Sequence, residues 1–261
     1  MALDRDDLLA QIGNAFLSFL LYDFAESGSL LLRSEGDCAF RFGAALEAEF
    51  PRRVHLGLPL SAATVAEFDP EADKRQVVDV VIADPDGAAL EHEAFVDVTY
   101  FPRGSKGARL LGAVEADGER LRRQYERGNC TAALLLVVDE GDLLDDSYAA
   151  VKHAAGVPVL LASPKAIVRR AYAVQHDVEL PLWCPSCESP RLAAMYYVEE
   201  ETDEPAEESD QWVHGGVAIW GDGRDARFGC RDCGFRGPRR RAYREARRQR
   251  TQHAAAPDAA A

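Results

Sequence analysis

The chain has 261 residues, which is long enough to bury a substantial core in one large domain or two. Its formal net charge of −14 argues against a simple nucleic-acid binder, and the lack of a long apolar run or a basic leader argues against a membrane or secreted protein. We therefore expect a soluble cytoplasmic protein. The acid excess with 4 lysines against 26 arginines suggests a salt-adapted proteome, with high-GC coding as the alternative explanation of the arginines.

The first part of the chain predicts two helices followed by three strands. Apolar residues recur every three or four positions in the helical segments, and β-branched or aromatic residues dominate the strand segments. An Asp-Gly turn at 86–87 joins the second and third strands and favours an antiparallel hairpin. The predicted helices are 4–25 and 36–50, and the predicted strands are 53–60, 75–84 and 93–101.

The next part alternates helices with strands. The run "TAALLLVVD" is apolar throughout, as expected for a strand covered on both faces. Gly156 is expected to end one helix, and Ser163 is expected to cap the next, with Pro164 in its first turn. A hairpin that leads into a parallel βαβ half predicts an α/β domain with a mixed sheet over residues 1–178. The predicted elements are helix 107–127, strand 131–139, helix 145–156, strand 157–163 and helix 164–176.

Two Cys-x-x-Cys pairs follow, and they predict a zinc ribbon over residues 179–238. Each pair places two thiolates on one tight turn, and two such turns complete a tetrahedral zinc site. Two disulfides are the alternative, which a cytoplasmic setting disfavours, and His214 could replace one ligand. Gly234 follows the second pair, where a positive φ is often needed, and the acidic insert 199–210 is expected to be disordered. The four ligands are Cys184, Cys187, Cys230 and Cys233.

The remaining candidate features are two isolated cysteines and an arginine-rich segment near the C-terminal end of the sequence. Cys38 and Cys130 are isolated and are expected to be small core residues, with a nucleophilic role as the alternative. The segment 235–250 holds eight arginines and one glutamate, which is typical of a polyanion-binding arm or of a solvated tail. We expect the tail 239–261 to be helical or disordered. The candidate nucleic-acid contacts are Arg239, Arg240, Arg241 and Arg244.

Two aspartates stand in the middle of predicted neighbouring strands, at Asp79 and Asp97. Cross-strand neighbours approach to within about 5 Å, so two such carboxylates repel each other unless a divalent cation lies between them. Oxygen ligands of this kind suit Mg²⁺ or Mn²⁺. A third carboxylate could come from the preceding helix, at Glu47 or, if the helix is rotated by two residues, at Glu49.

The order of these features resembles the PD-(D/E)XK, or restriction-endonuclease-like, nuclease superfamily. A helix with Gly-x-x-x-Glu precedes a strand with Asp, a second strand with an acid, a helix and a strand, over about residues 36–140. The resemblance implies a three-layer αβββαβ core and metal-dependent hydrolysis of phosphodiester bonds, in DNA or alternatively RNA. It assigns the catalytic acids to Glu47, Asp79 and Asp97.

The family lysine, two residues after the second strand acid, corresponds to Thr99 in this chain. Threonine cannot supply the positive charge that the lysine brings to the phosphate. Lys106 is the first candidate to replace the lysine, and Arg109 is the other near one. Further candidates lie deeper in the next helix, at Arg122, Arg123 and Gln124.

Three functions are compatible with these patterns. The first is an endonuclease with catalytic Mg²⁺ or Mn²⁺ and structural Zn²⁺, acting as a single chain or as a homodimer. The second is a non-catalytic nucleic-acid-binding or regulatory protein that keeps the nuclease-like scaffold, and Thr99 favours it. The third is a protein-binding module that docks a partner through its ribbon.

Overall fold

The structure, a computed structural model, describes residues 4–27, 32, 34–50, 53–59, 77–83, 92–198, 209–217 and 226–237. The chain divides into two compact units, residues 1–167 and 168–261. The division falls inside a helix at Pro164–Gln175, whereas the sequence analysis places the domain boundary after that helix, at 178. The predicted Asp-Gly turn, the tail from 239 onward and most of the acidic insert lie outside the described residues.

The first unit contains one five-stranded mixed sheet in the order β1-β2-β3-β4-β5. The pairs β1/β2 and β2/β3 are antiparallel, and β3/β4 and β4/β5 are parallel. The predicted α/β class and mixed sheet are therefore confirmed. The elements are α1 (Arg5–Ser27), α2 (Glu35–Glu49), β1 (Val54–Pro59), β2 (Val77–Ala83), β3 (His92–Phe101), α3 (Gly107–Glu126), β4 (Ala132–Asp139), a 3₁₀ turn (Asp145–Ser147), α4 (Tyr148–Ala155), β5 (Val159–Ala162) and α5 (Pro164–Gln175).

Helices cover both faces of this sheet. Every residue of β4 is buried, which requires packing on both of its sides. Alternate residues of β4, such as Leu135 and Val137, form one core cluster with Val114 of α3 and Val151 of α4. Helices α1 and α2 contact the strands as well, and we assign them to the other face because residues there are equally buried. The result is an α/β/α arrangement in which β3 lies under α3.

Local helix signals act as the sequence predicts. Gly156 ends α4 with φ 63°. The Ser163 hydroxyl accepts a hydrogen bond of 3.2 Å from the Ala166 amide and so caps α5. An N-terminal cap of this kind contributes about 1 kcal/mol. These two signals set where α4 ends and where α5 begins.

The second unit contains a small four-stranded sheet in the order β7-β6-β8-β9. Strands β6/β8 and β8/β9 are antiparallel, but β6 and β7 run parallel, so this sheet is mixed as well. Its apolar core is small and includes two of the cysteines, together with Leu192 and Phe228. The strands are β6 (Leu192–Val198), β7 (Trp212–Val217), β8 (Phe228–Cys230) and β9 (Arg236–Gly237).

None of the helices in the described ranges has both the length and the apolar character needed to cross a membrane.

Candidate functional site: a four-cysteine centre and a carboxylate cluster

The four predicted cysteine ligands converge in the second unit. One ligand atom from each lies within 4.8 Å of the others. The Sγ atoms are 3.7 Å apart between Cys184 and Cys233 and 3.6 Å apart between Cys187 and Cys230. A tetrahedral site with metal–sulfur bonds of about 2.3 Å requires sulfur atoms about 3.8 Å apart. A disulfide requires about 2.05 Å, so the cysteines are unpaired thiols at the spacing of a metal site.

The backbone around the two cysteine pairs has the same geometry. The Cys184 carbonyl accepts from the Glu188 amide at 2.8 Å, and the Cys230 carbonyl accepts from the Gly234 amide at 3.0 Å. Glu188 and Gly234 both adopt positive φ, 59° and 68°. The positive φ predicted for Gly234, after the second pair, is therefore confirmed. Glu188 adopts the same backbone conformation after the first pair.

Amide donors also point at the sulfur atoms. The Ser186 amide lies 3.4 Å from Cys184 Sγ. Burial raises the pKa of Cys233, but the Phe235 amide and the neighbouring thiols outweigh it and lower the pKa to about 7. Desolvation raises the pKa of Cys184 to about 11 and also raises that of Cys187, so these two thiolates need a cation to stabilise them. The spacing of the four sulfur atoms fits a four-coordinate metal ion. His214 is not a member of this ligand group.

In the first unit, Asp79 and Asp97 lie at the end of the β2–β3 pairing. The register pairs Val80 with Val96, which places the two aspartates opposite each other and on the face covered by α3. The Val98 amide donates to Asp79 Oδ2 at 2.8 Å, and the Asp79 amide donates to Asp97 Oδ1 at 3.3 Å. Each carboxylate therefore binds the backbone of the opposite strand.

Arg120 of α3 binds Asp97 through two nitrogens. Its Nε and Nη2 lie 3.0 and 2.7 Å from Asp97 Oδ2, and Nη2 also lies 3.2 Å from Asp117 Oδ1. The Thr99 hydroxyl donates to Asp117 Oδ2 at 2.7 Å. A continuous set of polar contacts thus joins Thr99, Asp117, Arg120, Asp97 and Asp79.

The electrostatics of this cluster favour a proton on one of its acids. Asp97 is fully buried, and burial raises its pKa to about 7 even though Arg120 opposes the shift. Desolvation also raises the pKa of Asp79, and Asp117 adds to it. The cluster consists of four acids, Asp79, Asp97, Asp117 and Glu35, and one arginine, Arg120. Its formal charge is −3 when all of them are ionised. The cluster therefore has a net negative charge when its acids are ionised.

Helix α2 supplies an acid, but at its first turn. Glu35 keeps contact with solvent, yet desolvation and then the charges of Asp79 and Asp117 raise its pKa. Glu47 and Glu49 are exposed. Glu47 lies twelve residues further along α2, about 18 Å at about 1.5 Å per residue, so the helix acid near Asp79 is Glu35.

The cation at Asp97 also differs from the predicted one. Lys106 is exposed at the N-terminal boundary of α3, and Arg109 is exposed in its first turn. Arg120 contacts Asp97 instead, from more than three turns further along the helix. Thr99, at the family lysine position, is buried and bound to Asp117.

Sequence reasoning missed three members of the cluster: Glu35, Asp117 and Arg120. Asp117 and Arg120 are an i, i+3 pair of opposite charge, which is a recognisable helix pattern. The same helix carries similar pairs between Arg122 and Glu119 or Glu126, so the pattern alone does not single out the pair at the site.

The two isolated cysteines are both buried in the first unit. Burial raises the pKa of Cys38 and of Cys130 to about 12. A buried thiol with a raised pKa is a poor nucleophile, which supports a packing role for both.

Comparisons with known proteins give no match: neither a family model nor a curated protein nor a solved structure matches this chain.

Proposed function

We propose that this chain is a metal-dependent nuclease that hydrolyses phosphodiester bonds in DNA, with a restriction-endonuclease-like core and a zinc ribbon. One observation carries the proposal: Asp79 and Asp97 oppose each other on adjacent strands, within a cluster of four acids and one arginine. The mixed sheet and its flanking helices agree with the layout that the sequence resemblance implies. RNA is the alternative substrate, and the cytoplasm is the proposed location.

The carboxylates fit a magnesium ion in number and chemistry. Mg²⁺ is commonly held by one or two protein carboxylates, with water and substrate phosphate completing its ligands. Asp79 and Asp97 can supply two oxygens, and Glu35 could approach from α2. Of the described residues, however, only the four cysteines bring three or more ligand atoms within 4.8 Å. A site that uses Glu35 as a third ligand would therefore require Glu35 to come closer to the two aspartates.

Each residue of the cluster has a role under this proposal. Asp79 and Asp97 would hold the cation, which would supply polarisation of the phosphoryl oxygen and a bound water of lowered pKa. Arg120 neutralises Asp97 before substrate arrives and is then available for the phosphate, because a guanidinium matches phosphate oxygens in geometry. Thr99 positions Asp117, and Asp117 orients Arg120. Arg120 thus replaces the family lysine in charge, and Lys106 does not.

The test is cleavage of plasmid and single-stranded DNA with Mg²⁺, Mn²⁺ or chelator. Asp79→Asn and Asp97→Asn should each abolish cleavage, and Arg120→Ala should depress it strongly, while Lys106→Ala should have little effect. Glu115→Gln, an exposed acid on α3, is the matched control and should cut normally. Wild-type protein that cuts neither DNA nor RNA with any divalent metal would refute the proposal.

The second candidate is a non-catalytic nucleic-acid-binding protein on the same scaffold. It is favoured by the contacts of the two aspartates, which already bind backbone amides and Arg120. In that role they close the end of the β2–β3 ladder and bind no metal. Binding of DNA without cleavage, unchanged by Asp79→Asn, is the result expected for this candidate.

We also propose that the four-cysteine centre holds one structural Zn²⁺. A four-thiolate set leaves no open coordination position, so the ion would stabilise the fold of a unit whose apolar core is small. Elemental analysis of freshly purified protein should give one zinc per chain, and its absence would contradict this assignment.

The arginine-rich arm is the proposed DNA contact. Its candidate residues, Arg239, Arg240, Arg241 and Arg244, lie outside the described residues. Neutralising Arg239 to Arg241 together should weaken binding and lower the log–log salt slope by about one unit for each phosphate that the arm no longer neutralises. An unchanged affinity and slope would show that the arm is a passive tail.

A further inference from the structure

The second unit contains a cavity of about 310 Å³ beside the cysteine centre. Its wall includes three arginines, Arg191, Arg231 and Arg236, on a chain whose net charge is −14. We call it the arginine cavity. Ligand sites in proteins typically begin at about 300 Å³, so this volume suits a small ligand.

Two of the arginines are held by the backbone and not by acids. Arg231 Nη1 donates to the carbonyls of Ser209 at 2.6 Å and Trp212 at 3.5 Å, and Arg236 Nη1 donates to the Gly215 carbonyl at 3.0 Å. A carbonyl orients a guanidinium without neutralising its charge. No carboxylate in the described ranges forms an ion pair with Arg231 or Arg236, and each has five N–H donors in total. Both therefore keep charge and donors for an anion.

The third arginine differs from these two. Arg191 Nη1 lies 2.5 Å from Asp232 Oδ1, so its charge is largely compensated. Cys230 also lines the cavity and offers no positive charge. The anion-binding part of the cavity is therefore at Arg231 and Arg236.

Another part of the wall is apolar. Met195 and Val213 are register partners on β6 and β7. Phe235 also lines the cavity, and it is partly buried because its ring packs against Phe228, with the ring centroids 6.4 Å apart. Apolar and aromatic surface beside arginines is the combination that binds single-stranded nucleic acid, with phosphate on the cations and the base stacked on the ring. A duplex keeps its bases stacked inside and cannot use such a wall.

The position of the cavity in the chain favours a polymer over a free anion. Phe235 and Arg236 are the first two residues of the arginine-rich segment 235–250. The sequence that follows the cavity residues thus supplies further positive charge, which suits a ligand with more than one phosphate. We propose that the arginine cavity binds one nucleotide unit of a single-stranded nucleic acid, with its phosphate on Arg231 and Arg236 and its base against Phe235. This inference rests on the proposed nucleic-acid function and names its single-strand contact.

The experiment measures fluorescence anisotropy of a labelled ten-residue oligo(dT) with zinc-loaded full-length protein. An Asp97→Asn background prevents cleavage. Arg231→Gln and Arg236→Gln should each raise the Kd about tenfold. The double variant should lower the salt slope by about 0.7 units, because the two arginines share one phosphate contact. Arg227→Gln is the matched control, because Arg227 is exposed on the same unit but does not line the cavity. It should change the Kd less than twofold.

Two further arms separate the sources of the anion and guard against misfolding. Inorganic phosphate and dTMP should compete only weakly, and a duplex of the same length should bind at least tenfold more weakly. Phe235→Leu keeps an apolar side chain and should weaken oligo(dT) binding with normal zinc content. Equal binding of the duplex, equal affinity for dTMP, or unchanged affinity in zinc-loaded double and Phe235→Leu variants would overturn the proposal.

Failure of this inference is distinguishable from failure of the nuclease proposal. If the protein cuts no nucleic acid but the cavity variants weaken oligo(dT) binding, the cavity proposal stands alone. If cleavage depends on Asp79 and Asp97 while the cavity variants bind normally, the nuclease proposal stands alone.

Discussion

Replacing Arg120 by glutamine removes the one cation that contacts the buried carboxyl of Asp97 among the residues that the structure describes. The Asp97 side chain is 1% exposed and that of Arg120 is 28% exposed. Removing one partner of a buried ion pair is strongly destabilising, because the remaining charge is uncompensated. Asp97 can limit this loss by taking up a proton, so the effect of Arg120→Gln must depend on pH.

The magnitude follows from the pKa of Asp97, about 7 in the folded protein. Protonating Asp97 at pH 8.5 costs about 2 kcal/mol, at about 1.36 kcal/mol per unit above that pKa. The variant should therefore lose about 2 kcal/mol at pH 8.5, or about 4–8 °C in Tm. At pH 5.5 Asp97 is protonated in both proteins, and the loss should stay within about 0.5 kcal/mol.

The assay is thermal unfolding at pH 5.5 and pH 8.5, followed by far-UV circular dichroism. All three tryptophans, Trp183, Trp212 and Trp220, belong to the second unit, so tryptophan fluorescence reports separately on that unit and should not change. Arg122→Gln is the control: Arg122 forms ion pairs with Glu119 and Glu126 on the surface of the same helix, and its loss should be small at both pH values.

Adding Asp97→Asn to Arg120→Gln should remove the pH dependence, because asparagine does not titrate. The raised pKa also determines whether the stability of the wild type rises or falls with pH. A carboxyl whose pKa is raised in the folded protein binds its proton more tightly there than in the unfolded chain. Stability should therefore fall as the pH rises from about 4 to about 7. An equal loss for Arg120→Gln at both pH values would refute the charge argument.

The remaining predictions address the metal centre, helix packing and catalysis. Cys184→Ser should release zinc and change tryptophan fluorescence while the helical dichroism of the first unit persists. Gly118→Ala would drive a Cβ into the Ala155 carbonyl oxygen and should destabilise the protein by about 1–3 kcal/mol or more. Gly112 lies on the same helix with open space around it, so Gly112→Ala should be neutral or should stabilise by up to about 1 kcal/mol. Chemical denaturation compares the two variants. Metal-dependent cleavage should rise with pH through about 7, since the raised pKa keeps Asp97 protonated and unable to bind metal below that; a flat pH–rate profile would contradict this.

Local patterns in the sequence predicted the elements of the first unit because they report interactions between near neighbours. Helix and strand periodicities, the Ser163 cap and the positive φ of Gly156 involve residues within about four positions of each other. The metal centre is similar, since each Cys-x-x-Cys turn builds half of it locally. These features could be read from one sequence because the chain encodes them over short distances.

The partners of Asp97, in contrast, could not be predicted from local sequence patterns. Helix α3 carries several arginines, and each residue turns about 100° around the helix axis from the one before it. Which basic residue contacts Asp97 depends on how α3 packs on β3. In this packing Arg120, and not Lys106, contacts Asp97. For the same reason the acid that α2 presents is Glu35 and not Glu47.

The register of β2 against β3 and the parallel pairing of β6 with β7 were also decided only in three dimensions. The sequence by itself determined the elements of the first unit, the α/β class and the four-thiolate centre. The tertiary structure decided which charges meet at Asp97 and where Arg231 and Arg236 form a cavity. Contacts between residues far apart in the chain depend on the packing of whole elements, which no short stretch of sequence specifies.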